Sequence, residues 1–351
     1  MVFNVAIVGA GLIGRKRAIA ISNFDDCLIK IAVDINSEAA NKLANKFGAE
    51  AETRWEKAVA KNSIDIVVVA TVNKFLAPIS IAALENKKHV LCEKPLGKNA
   101  IEAEEIYLKA KESKRILKTG FNHRHHPAIM KAKTFVNDGE LGTIYYIRCI
   151  YGHGGRPGYE KEWRASKDLC GGGELLDQGV HVVDLFRWFL GEFEEVFGQV
   201  NTYFWNMEVE DDAFALFKTK KGQIAVMHTS WTQWKNKFTF EIFGEKGYLI
   251  VDGLGGSYGI EKLIIGKRKT KIINQIIENK SCIQYTGGPP EEEIIEFPCP
   301  DISWQEEWKE FVSAIRENRE PLGSGYDGLM ANKLIEAVYN SARLNRPVKI
   351  K

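Results

Sequence analysis

Gly9-Ala10-Gly11-Leu12-Ile13-Gly14 joins the apolar run Val2–Val8 to the helical pattern of Arg15–Ile21. The glycines have the spacing G-x-G-x-x-G, which gives a tight turn, a close approach of the backbone to a pyrophosphate and close packing of helix on strand. Unpaired N–H groups and the dipole at the start of the helix favour phosphate. The turn therefore predicts a dinucleotide-binding βαβ unit with cofactor contacts from Gly9, Gly11, Leu12, Ile13 and Gly14. A similar turn without a ligand is the alternative.

An acidic residue stands at the distance from this turn that a bound ribose requires. The apolar run Leu28–Val33 ends in Asp34, and 34 − 14 = 20 residues separate it from Gly14, the usual offset of the carboxylate that binds the ribose hydroxyls. A carboxylate there repels a 2′-phosphate, and the next residue, Ile35, brings no cation to hold one. Arg15, Lys16 and Arg17 are nearby in sequence, but we expect them on a solvated helix face. Asp34 therefore predicts NAD, with NADP less favoured.

Apolar strands continue to alternate with helices as far as residue 122. Ile64–Ala70 is apolar throughout, as in the strands of a parallel sheet covered on both faces. Strands that are separated by helices of this length imply parallel pairing with right-handed crossovers. We therefore expect an α/β chain whose first domain, residues 1–122, is a Rossmann domain with a doubly wound parallel sheet.

Two strand ends in this domain carry candidate site residues. Thr71, Val72 and Asn73 follow Ile64–Ala70, where groups that line the nicotinamide ribose usually lie. His89-Val90-Leu91-Cys92 is followed by Glu93-Lys94-Pro95, and the proline must end the strand because it has no N–H and a fixed φ. Lys94 therefore stands at the carboxyl end of a buried strand, where open α/β sheets bind their ligands.

Strands dominate the second half of the chain. Residues 123–138 have a helical pattern, and the runs between residues 143 and 251 alternate like strands joined by tight turns. They predict a meander that forms a large, mostly antiparallel open sheet. Residues 253–300 carry no clear pattern, and Trp304–Glu317 and Tyr326–Leu344 are predicted to close the chain as helices. We expect residues 123–351 to form an α+β domain for substrate binding and oligomerisation, with the C-terminal helix able to pack back on the first domain.

A glycine-rich loop, Cys170-Gly171-Gly172-Gly173, precedes a predicted helix that carries Asp177, Gly179 and His181. Asp177 and His181 are four residues apart and would share one helix face. Gly179 would leave space there for a substrate. An imidazole is suited to moving a hydroxyl proton near neutral pH, and the carboxylate could fix its tautomer. The alternative is a partly buried helix with a satisfied polar pair.

Composition excludes several other classes of protein. The chain has 351 residues, 45% hydrophobic and 27% charged, with a formal net charge of +2, which gives no case for nucleic acid or a membrane surface. Its apolar runs are far shorter than the roughly 20 residues that span a bilayer, and its six cysteines contain no Cys-x-x-Cys pair. This favours reduced thiols in the cytoplasm. His123, His125 and His126 do not have the spacing of metal ligands, so we expect no metal. Contacts to substrate or cofactor are the better interpretation for Asn122 and Arg124.

Taken together, the motifs resemble those of a known family. Gly9-x-Gly11-x-x-Gly14, Glu93-Lys94-Pro95, Trp163-Arg164 and Gly172-Gly173-x-x-x-Asp177-x-Gly179-x-His181 are similar to the glucose–fructose oxidoreductase/inositol dehydrogenase (Gfo/Idh/MocA) family. The resemblance implies a Rossmann domain, an α/β domain whose open sheet often mediates oligomerisation, and hydride transfer between nicotinamide and a ring carbon of a sugar or polyol.

The resemblance also implies roles for individual residues. By motif, Lys94 is the catalytic lysine, Asp177 the acid that orients the substrate and His181 the proton acceptor. Substrate contacts are thus expected from Lys94, Asp177, His181 and Arg124, and cofactor contacts also from Thr71, Val72, Asn73, Glu93, Lys94, Asn122, Trp163 and Arg164. One departure concerns the segment Thr71–Leu76, because many members have Thr-Pro-Asn-x-x-His there and this chain has no histidine.

Three functions remain open at this stage. The first is an NAD-dependent dehydrogenase that acts on a secondary hydroxyl of a sugar, sugar phosphate or nucleotide sugar, working as a homodimer or homotetramer. The second is a glycoside hydrolase that oxidises its sugar transiently and reduces it again, with no net consumption of NAD. The third is a non-catalytic NAD-sensing protein, which would not need Lys94, Asp177 and His181.

Overall fold

The computed structural model describes residues 2–268, 277–279, 282–284, 290–297 and 300–350. The strands are β1 (Phe3–Val8), β2 (Cys27–Val33), β3 (Glu50–Glu52), β4 (Ile66–Val69), β5 (His89–Cys92), β6 (Leu117–Thr119), β7 (Ile144–Gly152), β8 (Phe193–Asn201), β9 (Asp212–Thr219), β10 (Ile224–Ser230), β11 (Lys237–Gly244), β12 (Gly247–Asp252), β13 (Glu261–Lys267), β14 (Ile277–Asn279), β15 (Cys282–Gln284), β16 (Glu292–Phe297) and β17 (Val348–Lys349). The α-helices are α1 (Leu12–Ile21), α2 (Ser37–Phe47), α3 (Trp55–Ala60), α4 (Leu76–Glu85), α5 (Ala100–Ser113), α6 (Pro127–Asn137), α7 (Lys167–Cys170), α8 (Val180–Leu190), α9 (Ser303–Glu317) and α10 (Gly325–Leu344).

The first sheet is parallel throughout, as its apolar strands predict. Its order is β3-β2-β1-β4-β5-β6, so the chain reverses direction across the sheet between β1 and β4. In open α/β sheets, ligands bind at the carboxyl ends of the strands beside such a reversal. The glycine turn follows β1, Asp34 follows β2, Thr71 follows β4 and Lys94 follows β5, so all of them lie along this edge. The predicted Rossmann fold is confirmed.

The second sheet is open and mostly antiparallel, as predicted, but it is not a meander. Its order among the described residues is β16-β13-β12-β11-β7-β10-β9-β8-β17. The first of these strands in the chain, β7, is inserted between β10 and β11, and its pairing with β10 is parallel. One face of the sheet is covered by α6, α8 and α10, which share its apolar core. The opposite face carries exposed apolar side chains of Tyr146, Ile150, Phe214, Leu216 and Val226.

The segment between the two sheets differs from the single helix expected over residues 123–138. A 3-10 turn covers Asn122–His125, and α6 begins only at Pro127. Pro127 fits the first turn of a helix because that position needs no N–H, whereas the residue before a proline is extended, as His126 is here at φ −68° and ψ 133°. The break turns the side chains of Asn122, His123 and His126 toward the cleft described below.

The closing helices pack against the first sheet. Trp308, Phe311 and Val312 of α9 lie in one core with Val5 and Ile7 of β1. Helix α10 packs against α5 and β6, as well as against β8 of the second sheet. No helix in the described part of the chain is long and apolar enough to cross a membrane.

A buried ionic cluster ties α9 to the glycine-turn region. Arg17 of α1 donates from Nε to Glu93 at 2.6 Å and pairs through Nη1 with Glu307 of α9. Lys118 of β6 lies 3.8 Å from Glu307 and is fully buried. Arg17 was expected on a solvated helix face, but its side chain is 1% exposed because these carboxylates meet it in the core.

Candidate functional site

A cleft of about 710 Å³ runs along the carboxyl edge of the first sheet and is closed on its far side by residues of the second half of the chain. Most of the predicted site residues line it: Gly9, Gly11, Leu12, Ile13, Asp34, Thr71, Val72, Glu93, Lys94, Asn122, Trp163, Arg164, Asp177 and His181. The structure therefore brings together side chains that the sequence separates by as much as 172 residues (181 − 9).

The glycine turn has the shape that a bound pyrophosphate needs. Gly9 has φ +104°, and a Cβ there would lie 2.3 Å from the carbonyl oxygen of Ala70. A Cβ on Gly14 would lie 1.8 Å from the carbonyl oxygen of Gly9, so this glycine serves the packing of α1 on β1 and does not line the cleft. Gly11 has no neighbouring atom within 4 Å of the position of a Cβ, so its backbone is open to a ligand. These features fit a dinucleotide.

Asp34 is held at the rim of the cleft by its own neighbours. Its Oδ2 accepts from the backbone N–H of Ala10 at 2.8 Å, and its Oδ1 accepts from that of Asn36 at 2.9 Å. Ile35 is 91% exposed and offers no charge to a phosphate. The carboxylate is therefore fixed beside the glycine turn, where it can accept from ribose hydroxyls and would repel a 2′-phosphate.

Asp177 binds two positively charged side chains in the cleft, those of Lys94 and Arg164. Lys94 Nζ donates to the side-chain Oδ1 of Asp177 at 2.7 Å and to its backbone carbonyl oxygen at 2.6 Å, and Arg164 Nε donates to Oδ2 at 3.1 Å. The peptide bond between Lys94 and Pro95 is cis. Burial favours the neutral carboxyl group, but the charges and hydrogen bonds of Lys94 and Arg164 outweigh it and lower the pKa of Asp177 below its ordinary value. Asp177 is therefore ionised, and Lys94 keeps one of its three N–H donors for a ligand.

His181 lies in the same cleft as a neutral base. It is 5% exposed, and burial, followed by the nearby charge of Lys94, lowers its pKa well below the ordinary value of 6.5. Its Nδ1 is buried without a hydrogen-bond partner in the described part of the chain. The ring stacks on His123 with centroids 3.7 Å apart and an interplanar angle of 18°. This arrangement holds the imidazole in position and leaves it unprotonated, so it can accept a proton.

Asp177 and His181 line the same cleft, but no hydrogen bond joins their side chains. Residues Leu175–Gly179 form a π-helical turn, and the α-helix begins only at Val180. The carboxylate of Asp177 is bound by Lys94 and Arg164, so it does not fix the tautomer of His181. Nor does Gly179 face a substrate, because a Cβ there would meet Leu175 at 3.1 Å and Met227 at 3.2 Å.

Two other predicted contacts also point elsewhere. Arg124 does not line the cleft, because Asp184 binds its guanidinium at 2.8 Å and 2.6 Å and Asp327 lies 3.3 Å away. Asn73 donates from Nδ2 to the carbonyl oxygen of Cys170 at 2.8 Å and is likewise absent from the cleft wall. Arg124 is therefore not positioned to contact a substrate, and Asn73 links the end of β4 to the loop at Cys170.

Sequence reasoning missed part of the site. His123, considered above only as a metal ligand, faces Tyr151 of β7, with Nε2 3.1 Å from the hydroxyl oxygen. Tyr151 stacks edge-on against Tyr258, whose hydroxyl accepts from Gln178 Nε2 at 2.7 Å. Burial raises the pKa of Tyr151 well above its ordinary value, so the phenol is protonated. Pro127 could have indicated that the helix starts late and that His123 lies in a turn beside the cleft. Nothing in the local sequence of β7 indicates that Tyr151 belongs to the site.

No group of three or more His, Cys, Asp or Glu side chains within the described ranges could hold a metal ion. His126 lies 2.9 Å from Glu261, and His125 is buried away from the cleft.

Comparison with known proteins agrees with this geometry. Residues 3–121 match the family model described as "Oxidoreductase family, NAD-binding Rossmann fold", and residues 129–250 match the "GFO/IDH/MocA C-terminal domain". The chain is 28% identical to the levoglucosan dehydrogenase of Pseudarthrobacter phenanthrenivorans over 283 residues, which cover 70% of this chain and 73% of that protein. It is 26% identical to the myo-inositol 2-dehydrogenase of Thermotoga maritima over 354 residues, which cover 99% of this chain and 98% of that protein.

Solved structures show the same fold. A levoglucosan dehydrogenase in complex with NADH and levoglucosan superimposes with a TM-score of 0.88 at 23% identity, covering 100% of both chains. GenD2 from gentamicin A biosynthesis, in complex with NAD, superimposes with a TM-score of 0.82 at 25% identity, covering 100% of this chain and 97% of that one. With both of its halves matched by the models of one family, the chain belongs to the GFO/IDH/MocA oxidoreductases and carries their NAD-binding Rossmann domain.

Proposed function

We propose that this oxidoreductase is a dehydrogenase that interconverts a secondary ring hydroxyl and a ketone on a sugar or polyol. The observation that carries the proposal is that Lys94, Asp177 and His181 line the same cleft as the open backbone of Gly11. When bound, NAD accepts or returns the hydride. The inositol and levoglucosan dehydrogenases named among the relatives support a substrate of this class.

Lys94 and Asp177 form the part of the site that binds the reacting oxygen. The carboxylate of Asp177 and its backbone carbonyl fix the ammonium group at 2.7 Å and 2.6 Å, and the remaining N–H of Lys94 is available to the substrate hydroxyl. As the hydroxyl loses its proton, that hydrogen bond strengthens, because the oxygen gains negative charge. A preorganised donor of this kind contributes about 3 kcal/mol to a transition state.

His181 is the proposed proton acceptor. It is neutral at physiological pH because burial and Lys94 lower its pKa, and a neutral imidazole can take the hydroxyl proton without first losing one. Its stacking on His123 limits rotation of the ring. Trp163 and Tyr258 are partly exposed, line the same cleft and offer ring surface on which a sugar can pack.

We also propose NAD as the preferred dinucleotide, on the position of Asp34 and the exposed, uncharged side chain of Ile35. A reducing compartment such as the cytoplasm is supported by the free, buried thiols of Cys27, Cys92, Cys149 and Cys170. The apolar outer face of the second sheet supports assembly into a homodimer or homotetramer, because an open face of this kind is stable when another surface covers it.

The experiment is a screen for NADH formation with purified protein, NAD and a panel of cyclitols, pyranoses, sugar phosphates and nucleotide sugars. We expect stoichiometric NADH with at least one compound of the panel, and much weaker activity with NADP. Release of an aglycone without net NADH would instead indicate transient oxidation. Tight NAD binding with no turnover of any compound would contradict the proposal.

A further inference from the structure

Five charged residues of alternating sign line the part of the cleft around Asp177, which we call the substrate half: Arg156, Glu162, Arg164, Asp177 and Lys94. Arg156 Nη2 lies 2.6 Å from Glu162 Oε1, and Glu162 Oε2 lies 3.8 Å from Arg164 Nη1. Arg164 pairs in turn with Asp177 at 3.1 Å, and Asp177 pairs with Lys94 at 2.7 Å. The row thus reads positive, negative, positive, negative, positive, and all five residues line the cleft.

The arginines are also engaged through their faces. Arg164 Cζ lies 4.5 Å from the ring centroid of Trp163, and Arg156 Cζ lies 5.4 Å from that of Tyr159. The side chain of Arg164 is 27% exposed and has few directions left for another anion, whereas that of Arg156 is 64% exposed and is neutralised chiefly by Glu162. Lys16 also lines the cleft, but it projects from α1 beside the glycine turn and lies 5.0 Å from the ring centroid of Trp304.

Glu162 is therefore the group that decides whether this half of the cleft attracts an anion. Its carboxylate faces both arginines, with a side chain only 25% exposed, whereas Asp177 is occupied by Lys94 and Arg164. Without Glu162, Arg156 would have no carboxylate partner among the described residues, and Arg164 would keep only Asp177. A phosphate or carboxylate of a substrate would otherwise find two guanidinium groups side by side.

We propose that Glu162 is a specificity-determining residue that excludes anionic substrates, so that the site takes uncharged ring polyols and rejects sugar phosphates, sugar acids and nucleotide sugars. The inference rests on the proposed dehydrogenase function for the location of the substrate. It extends that function by naming the charge class of the substrate and the side chain that selects it.

The test uses inorganic phosphate as the probe, titrated by calorimetry into the protein saturated with NADH, so that the pyrophosphate site is filled. The variant is Glu162→Gln, which keeps the shape of the side chain and removes its charge. The matched control is Glu160→Gln, which changes the net charge equally but lies outside the cleft. We expect phosphate to bind Glu162→Gln about fivefold more tightly than the unmodified protein, the upper range for a partly exposed ion pair. The control should behave like the unmodified protein.

Two further measurements keep the test decisive. Adding Arg156→Gln to Glu162→Gln should reverse most of the gain, and a thermal melt of each variant checks that it folds. Glu162→Ala replaces Glu162→Gln if the latter is unstable. Equal phosphate affinity in Glu162→Gln and Glu160→Gln, or a kcat/KM of the unmodified protein that is higher for a sugar phosphate than for its uncharged parent, overturns the proposal. Calorimetry requires no turnover, so the phosphate result tests the role of Glu162 even if the protein is inactive. Lack of activity with every substrate would contradict only the proposed dehydrogenase function.

Discussion

Replacing His181 by alanine tests the proposed proton transfer most directly. Loss of a general base lowers kcat by roughly two to four orders of magnitude. We expect the lower half of that range, about 100-fold to 1,000-fold, for two structural reasons. Lys94 stays in place because Asp177 holds it independently of His181, and the space left by the ring can admit a water molecule as a weaker base. NAD affinity should barely change, because the predicted dinucleotide contacts come mainly from the first sheet.

The pH dependence of oxidation supplies a second, sharper readout. His181 is active as a base only when neutral, and burial and Lys94 lower its pKa well below 6.5. The rate should therefore stay constant as the pH falls through 6.5 and decline only at lower pH. In His181→Ala the acidic decline should disappear or move. The assay is a pH–rate profile of both proteins, with a substrate for which hydride transfer is rate-limiting.

His125→Ala is the matched control. His125 is 5% exposed and burial lowers its pKa as well, but it does not line the cleft, so its loss should leave the position of the acidic limb unchanged. Loss of the stacking between His181 and His123 should cost His181→Ala about 1 kcal/mol of stability, which thermal melts will detect. An acidic limb that is identical in the unmodified protein and His181→Ala would refute the reasoning and show that a group other than His181 controls the rate at low pH.

Lys94→Met and Asp177→Asn should each fold and bind NADH, as fluorescence titration can show, yet lose at least 100-fold in kcat; near-normal turnover in both would mean that the pair is structural. Asp34→Ser combined with Ile35→Arg should shift the preference from NAD toward NADP, and tighter binding of NADPH than NADH by the unmodified protein would contradict the role of Asp34. Phe214→Lys, on the outer face of the second sheet, should reduce the assembled mass measured by light scattering, unless the unmodified protein is itself a monomer. The free energy of unfolding should fall as the pH drops below 6.5, because histidines with lowered pKa values bind protons in the unfolded chain but not in the folded one. Urea unfolding at neutral and mildly acidic pH measures this difference. Equal free energies at the two pH values would contradict the lowered pKa values. These histidines are His89 (to about 4), His123, His125, His153 and His181.

The parallel sheet could be predicted from sequence because its strands and turns are locally encoded. β5 has the bounds that its pattern indicates, and Gly9 has the positive φ that the spacing of the turn requires. Buried parallel strands are apolar throughout, so they are easily distinguished from the helices between them. The second sheet was harder, since the partner of a strand depends on distant residues. Nothing in the sequence of β7 shows that it would lie between β10 and β11.

The sequence predicted which residues form the site, but not which of them contact each other. Lys94, Asp177 and His181 were found by motif, yet the carboxylate of Asp177 binds Lys94 and Arg164, and the imidazole of His181 stacks on His123. The π-helical turn over Leu175–Gly179 was not predicted, because its hydrogen bonds leave no clear mark in the sequence. His123 was missed as a neighbour of His181 because the stacking depends on the approach of two segments that are 58 residues apart (181 − 123).

The ionic cluster of Arg17, Glu93 and Glu307 has a consequence for how the chain is made. Arg17 and Glu93 are synthesised more than 200 residues before Glu307 and the apolar side chains of α9 that cover β1 (307 − 93 = 214). Until α9 is synthesised, one apolar face of the nascent Rossmann sheet is uncovered, and the guanidinium of Arg17 lacks one of its two carboxylate partners. Breaking a buried pair of this kind costs about 3–5 kcal/mol. We therefore expect the N-terminal half to remain only partly folded during translation, and a stop codon shortly before α9 to yield a product that proteases remove.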